Sequence, residues 1–306
     1  MPAVPAPPTS ETPRVAVRQS AFERLREVAP AGVEVVLIDD DLDLETVDFV
    51  IPGHSDQATL EALPGLTRVA VVQTISAGTD WVEGRVPPQA TLCNARGTRD
   101  RPVAEWVIAA LLGASSRTLE CAPATSWSTL ELEDLESWTV LIVGMGSIGR
   151  QVAAFLEPFG ARVVGVASRA RDDLHGIDEL PALLPSADAV VVLTPLNDDT
   201  RGLIGAAELA AMRDGALLVN AARGPVVDTD ALVAEVATGR LRAVLDVTDP
   251  EPLPDGHPLW TAPGILSITP HMAGDSPLGQ RRAIDLAARQ ITRWLAGEPL
   301  ENVVPH

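Results

Sequence analysis

The 306-residue chain has no lysine and no tyrosine, so all 23 of its basic residues are arginine. Schiff-base chemistry through a lysine amine is thereby excluded, as is any proton donor built from tyrosine or lysine. Cysteine is scarce. Cys93 and Cys121 stand without metal-ligand spacing, which gives no metal site and fits a reduced cytoplasm. No apolar run approaches bilayer-spanning length. Residues 1–14, rich in Pro, Ala and Thr, lack the basic start and apolar stretch of a signal peptide and read as a loose lead-in. Basic residues are outnumbered by acidic ones, 23 to 42, which argues against nucleic acid and anionic membrane as partners. An anionic small molecule stays possible, because a local arginine pocket outweighs a global field.

Apolar residues make up 46% of the chain, enough for a globular protein with a sizeable core. Short β runs alternate with helical patterns. Residues 15–17, 33–38, 48–51 and 69–73 read as strands, with helices at 22–28 and 57–63 between them. A long, largely apolar helix follows at 102–112, opened by Pro102. After a mixed connector at 120–137 a second series begins. Its strands are predicted at 139–143, 162–166, 189–193, 216–219, 243–246 and 266–269. Its helices are predicted at 147–159, 206–212 and 228–238, and an amphipathic helix at 277–295 closes the chain. Such alternation predicts an α/β protein with parallel sheets.

The 139–143 strand runs into Gly144-Met145-Gly146-Ser147-Ile148-Gly149 and then a helix, the context a dinucleotide fingerprint requires. Gly144 permits the tight turn, Gly146 lets backbone approach a pyrophosphate, and Gly149 lets helix pack on strand. The helix N-terminus favours the anion. At the end of the next strand an NAD site usually carries an acid for the ribose hydroxyls. Here Ala167-Ser168-Arg169 stands there instead. A hydroxyl and a guanidinium attract a 2′-phosphate, so NADP(H) is expected in preference to NAD(H), which stays possible if Asp172 holds the ribose.

Three polar residues follow predicted strand ends in order: Arg223 in Asn-Ala-Ala-Arg-Gly, Glu251 between two prolines, and His271 after Thr-Pro. A guanidinium, a carboxylate and an imidazole can polarise a carbonyl, tune a proton donor and protonate the oxygen. Taken singly, each is as readily a strand-end charge, a solvated loop residue or a strand cap.

These motifs, with Ser76-Ala77-Gly78-Thr79-Asp80 and the stretch from Gly97 to Glu105, resemble the D-isomer-specific 2-hydroxyacid dehydrogenase family over nearly everything from Val33 to Val304. The resemblance implies a Rossmann cofactor domain, residues 100–275, inserted into a flavodoxin-like substrate domain, residues 1–99 and 276–306, both with parallel sheets and with the active site in the cleft between them. It implies an oxidoreductase passing a hydride between NAD(P)H and a 2-oxo acid, of glyoxylate or hydroxypyruvate type. Catalysis is assigned to Arg223, Glu251 and His271. Cofactor contacts are assigned to the six fingerprint residues, Ser168, Arg169, Thr194, Pro195, Thr200, Ala221, Ala222, Arg223, Asp246, His271 and Ala273. Substrate contacts are assigned to Ser76, Ala77, Gly78, Arg223, His271 and His54.

A homodimer is implied, although the connector at 117–139 is shorter than is usual in the family. Phosphite or formate oxidation is a runner-up, but the family's formate enzymes carry glutamine where Glu251 stands. A nucleotide-sensing protein without turnover is the other alternative. Arg96, Arg99 and Arg101 crowd one loop, where they meet an anionic substrate tail, the cofactor phosphate or solvent. His257 is expected to anchor the loop before the last strand, and His175 and His306 to lie on the surface. Trp81, Trp106 and Trp127 line the pocket or a dimer contact or pack in the core, with core packing the safer reading.

Overall fold

The computed structural model describes residue 5 and residues 12–54, 56–127 and 129–305. Ser55, in a loop assigned to the substrate side, and His306 lie outside these residues. The chain divides into two compact units, one of Met1–Arg99 with Asp275–His306 and one of Asp100–Gly274.

In chain order the first unit contributes β1 (Arg14–Val17), α1 (Gln19–Val28), β2 (Glu34–Leu37), β3 (Phe49–Ile51), α2 (Gln57–Ala62), β4 (Val71–Gln73) and β5 (Thr91–Cys93). The second unit contributes α3 (Asp100–Ser115), α4 (Thr118–Cys121), β6 (Thr139–Val143), α5 (Ser147–Leu156), β7 (Arg162–Ala167), β8 (His175–Gly176), α6 (Leu180–Leu183) and β9 (Ala189–Val192). It continues with α7 (Ala206–Ala211), β10 (Leu217–Asn220), α8 (Thr229–Ala237), β11 (Arg242–Leu245) and β12 (Ile265–Ile268). The chain then returns to the first unit with α9 (Pro277–Leu295) and β13 (Val303–Val304).

The second sheet has the order β12-β11-β10-β9-β6-β7-β8, and its neighbouring strands pair in parallel. Read outward from β6, this is the Rossmann arrangement, with the order reversing between β6 and β9. Its inner strands β6, β9 and β10 are near-continuous apolar runs because both faces are covered. On β6, Leu141 and Val143 pack into one core layer while Val140 and Ile142 pack into the other.

The first sheet has the order β13-β5-β4-β3-β1-β2. Its parallel part is flavodoxin-like, reversing between β1 and β3. Val15 and Val17 of β1 face one layer and Ala16 the other. The long α9 buries Ala283, Ile284, Ala287, Ile291 and Trp294 in the first of these layers. The strand β13 pairs antiparallel with β5, which leaves an otherwise parallel sheet with one antiparallel edge. Neither β5 nor β13 is among the strands predicted from the sequence.

Candidate functional site

In the second unit every site loop leaves the carboxyl edge of the sheet. Gly144 follows β6 with φ +111°, a conformation that L side chains rarely adopt. A Cβ there would sit 2.7 Å from Leu193 C and 2.8 Å from Thr194 N, so the loops after β6 and β9 touch backbone to backbone. A Cβ on Gly149 would overlap the Gly144 carbonyl oxygen. A Cβ on Gly146 would meet no protein atom. Two of the glycines are therefore required by packing, while the third leaves open room beside the loop.

The helix α5 starts with no side-chain cap, so its first N–H groups are available to an anion. Thr194 Oγ1, at the end of β9, is buried without a hydrogen-bond partner. An uncapped helix start, open space at Gly146 and an orphaned hydroxyl all fit a dinucleotide diphosphate. Ser168 and Arg169 follow β7 and are exposed; Asp172 sits beyond them in the Arg171–Leu174 turn. The Thr200 hydroxyl donates to Pro195 O at 2.6 Å, inside its own loop.

Arg223, Glu251 and His271 follow β10, β11 and β12, three neighbouring strands. Buried Asn220 shapes the first of these loops: its Oδ1 accepts from Ala222 N at 3.0 Å and its Nδ2 donates to Arg223 O at 3.1 Å. Gly224 then packs so closely on the 247–249 backbone that a Cβ would overlap Thr248 O. Arg223 Nη1 donates to Ala222 O at 2.7 Å.

His271 Nδ1 lies 2.7 Å from Glu251 Oε1. With the carboxylate on Nδ1, the favoured tautomer carries a proton there and leaves Nε2 for exchange. Both side chains are about two-fifths exposed, 43% and 41%. His271 itself has φ +52°, held by N–H bonds to Asp246 O at 2.7 Å and Thr269 O at 3.0 Å.

Asp246 was expected to touch the cofactor, but its carboxylate is committed to the His271 loop. Buried at 3% exposure, it accepts from Thr269 Oγ1 (2.6 Å), Met272 N (2.9 Å) and Ala273 N (3.0 Å). The Ala273 N–H is engaged by the same bond. A positioning role for Asp246 was missed because its partners lie 23 to 27 residues later.

In the first unit, the turn after β4 has the carbonyls of residues 76–78 engaged within the unit. Ser76 O accepts from Thr74 Oγ1 and Ala95 N, Ala77 O from Asn94 Nδ2, and Gly78 O from Ser76 Oγ and Trp81 Nε1. The N–H groups of Ala77 and Gly78 donate to no described residue. Two adjacent free N–H groups make a nest for a carboxylate. His54, after β3, is exposed, with its ring 4.9 Å from that of Trp81.

His257 Nδ1 accepts from Leu259 N at 3.3 Å and caps the short turn Pro258–Trp260. His175 Nδ1 meets Glu179 at 2.8 Å on the surface. Trp81 and Trp106 pack against core layers, but Trp127 is 99% exposed, contrary to the core expectation. Among the described residues, its connector carries no regular element between α4 and residue 135. Among the described residues no group of three or more His, Cys, Asp or Glu is placed to hold a metal, and no helix is long and apolar enough to cross a membrane.

The family model described as D-isomer specific 2-hydroxyacid dehydrogenase, NAD binding domain, matches residues 108–273. The "uncharacterized protein in proB 3′ region" of Corynebacterium melassecola is 35% identical over 277 residues, covering 86% of this chain and 90% of that protein. A glyoxylate reductase of Thermofilum pendens is 30% identical over 300 residues, covering 91% of this chain and 83% of its own. The solved structure of an NADPH-dependent glyoxylate/hydroxypyruvate reductase from Sinorhizobium meliloti, in complex with NADP and sulfate, superposes with TM-score 0.83. It is 27% identical and covers 96% of this chain and 98% of that one.

Proposed function

Because the chain belongs to the D-isomer-specific 2-hydroxyacid dehydrogenase family, we propose that it reduces a 2-oxo acid to a D-2-hydroxy acid, using NADPH in preference to NADH. The observation that carries this reading is the 2.7 Å contact between His271 Nδ1 and Glu251 Oε1 on the same sheet edge as the glycine cradle.

A bound nicotinamide dinucleotide supplies the hydride; the fingerprint loop, the α5 N-terminus and Thr194 hold its diphosphate. As hydride reaches the carbonyl carbon, negative charge grows on the carbonyl oxygen. Arg223 stabilises that oxygen and one carboxylate oxygen with its planar fork of donors. His271 gives its Nε2 proton to the oxygen. Glu251 fixes the ring and its tautomer through Nδ1, leaving Nε2 for the proton transfer. The N–H groups of Ala77 and Gly78 hold the rest of the substrate carboxylate.

Preference for NADPH is supported by the absence of an acid at the end of β7, where Ser168 and Arg169 stand exposed. The Sinorhizobium relative, an NADPH-dependent glyoxylate/hydroxypyruvate reductase, supports both cofactor and substrate type. We place the protein in the cytoplasm as a homodimer, a state supported by exposed Trp127, Leu130 and Leu132 on the connector.

Steady-state oxidation of NADPH and NADH with glyoxylate, hydroxypyruvate and larger 2-oxo acids tests the proposal. Turnover with a higher kcat/KM for NADPH is expected. A clear NADH preference removes the cofactor assignment. Tight dinucleotide binding with no turnover of any oxo acid replaces the enzyme by a nucleotide sensor.

A further inference from the structure

Of the three arginines crowding the loop after β5, two are accounted for. Arg96 Nη2 donates to Asn302 Oδ1 at 3.3 Å, and Arg101 pairs with Glu105 at 2.8 Å on an exposed helix face. Arg99 is different. Its side chain is 19% exposed, its Nη1 meets Asp275 Oδ1 at 2.6 Å, and its Nε is buried with no partner.

Arg18, the residue after β1, shares this condition: its Nε is also buried with no partner. The two guanidiniums are close enough to repel. Arg18 is held below the usual arginine range first by burial and then by the charge of Arg99, with Asp56 and Asp275 opposing. Two like charges, partly desolvated and each with an unmet donor, are costly unless something negative joins them.

The nearby acids do not meet those donors. Asp56 Oδ2 is engaged by Gly53 N at 2.5 Å, and Asp275 is half exposed at the far end of Arg99. A Cβ on Gly53 would come within 3.0 Å of Arg18 Cδ, so the glycine clears the path along which the arginine lies.

The position carries the argument further. Arg18 and Gly53 follow β1 and β3, the pair at which the strand order of this sheet reverses. Open α/β sheets bind ligands at that point, outside the carboxyl ends of the strands. The next strand, β4, leads to the Ala77–Gly78 nest, and β5 leads to Arg99. The nest and the arginines are also tied by contacts: Trp81 donates to Gly78 O at 3.2 Å, and its ring lies tilted 4.9 Å from that of His54, next to Gly53. The β5 loop donates from Ala95 N to Ser76 O at 2.9 Å. Adjacent strands are about 4.8 Å apart, so β1 and β4 are separated by roughly 10 Å. An extended arginine and a short substrate chain bridge that gap together.

We propose that Arg18 and Arg99 form an anion subsite for the far end of the substrate, so that the enzyme selects 2-oxo acids bearing a second anionic group. This rests on the reading of Ala77 and Gly78 as the holders of the first carboxylate. The second anion is a carboxylate or a phosphate, and matched pairs separate the two.

The experiment compares kcat/KM for 2-oxopentanedioate against 2-oxopentanoate, and for 3-phosphonooxy-2-oxopropanoate against 3-hydroxy-2-oxopropanoate. In the wild-type enzyme one pair favours its dianionic member at least tenfold, and that pair identifies the anion. Arg18→Gln and Arg99→Gln each lower that ratio at least tenfold, as expected for losing a charge-assisted hydrogen bond, while Arg18→Lys retains part of it. A wild-type ratio near one in both pairs, or a ratio unmoved in folded variants, overturns the subsite alone. No turnover of any of the four compounds removes the oxo-acid reading, and the subsite with it.

Discussion

The two units build their sheet edges from opposite materials. At the β6/β9 reversal of the second unit the loops are glycine and bare backbone. Gly144 and Gly149 leave no space for a Cβ, and a single hydroxyl, Thr194 Oγ1, is left without a partner. At the β1/β3 reversal of the first unit stands Arg18, joined by Arg99 from the β5 loop, each with an unmet Nε–H group. The contrast follows from what each edge is proposed to hold. A diphosphate spread along a loop is served by many backbone N–H groups at close approach. A small dianion is gripped by long charged side chains that reach it from neighbouring strands. Between these extremes lie Arg223, Glu251 and His271, on the second unit's sheet but with charged chemistry.

The sharpest break of this contrast is His271→Asn, which keeps a polar group on the β12 loop and removes the proton donor. A loss of about 10³-fold in kcat is expected, within the range of general acid catalysis, with NADPH binding by fluorescence little changed. Loss of binding in step with kcat would mean that the β12 loop is part of the cradle instead. Gly224→Ala acts on packing, since its Cβ would overlap the Thr248 backbone. It should cost about 3 kcal/mol or more of stability, read as a lower denaturant midpoint; an unchanged midpoint contradicts the tight β10–β11 loop contact.

A smaller effect is expected at the edge of the cradle. Arg169→Ala should lower the NADPH over NADH ratio of kcat/KM about tenfold, the size of one charge-assisted contact; an unchanged ratio makes Arg169 a solvated loop charge. The mildest prediction concerns the first unit's core. Burial pushes the Cys93 thiol up to about 12, against an opposing hydrogen bond from Gln290. An unfolded thiol titrates near 8.5. Below that pH both states keep the proton and stability is full. Above it the unfolded chain loses the proton first, so stability falls as pH rises toward 12. Cys93→Ala should flatten the decline in urea midpoint between pH 8 and pH 10.5, and an equal slope in both proteins would sink the idea.

Much of the second unit is legible because its signals are local. Six consecutive residues hold the fingerprint, and each of the three catalytic candidates follows a strand whose apolar run is plain. The contact between His271 and Glu251 is the one long-range feature that side-chain chemistry anticipates. Asp246 is assigned to the cofactor by the resemblance alone; its three donors become visible only once β11 and β12 lie side by side. Arg18 is less legible still. A lone arginine after a strand carries no signal, and its partner Arg99 is brought near by the order of a sheet whose β5 is only three residues long. Trp127 misled for the opposite reason, since large aromatics are usually buried.

The central claim is that His271, oriented by Glu251, is the proton donor. It is tested most directly by kcat of oxo-acid reduction and by NADPH binding in wild type and Glu251→Gln. The account predicts that kcat falls about tenfold or more while NADPH binding stays, because the ring loses the carboxylate that holds its Nδ1. An unchanged kcat would show that Glu251 does not orient the donor and would contradict the account.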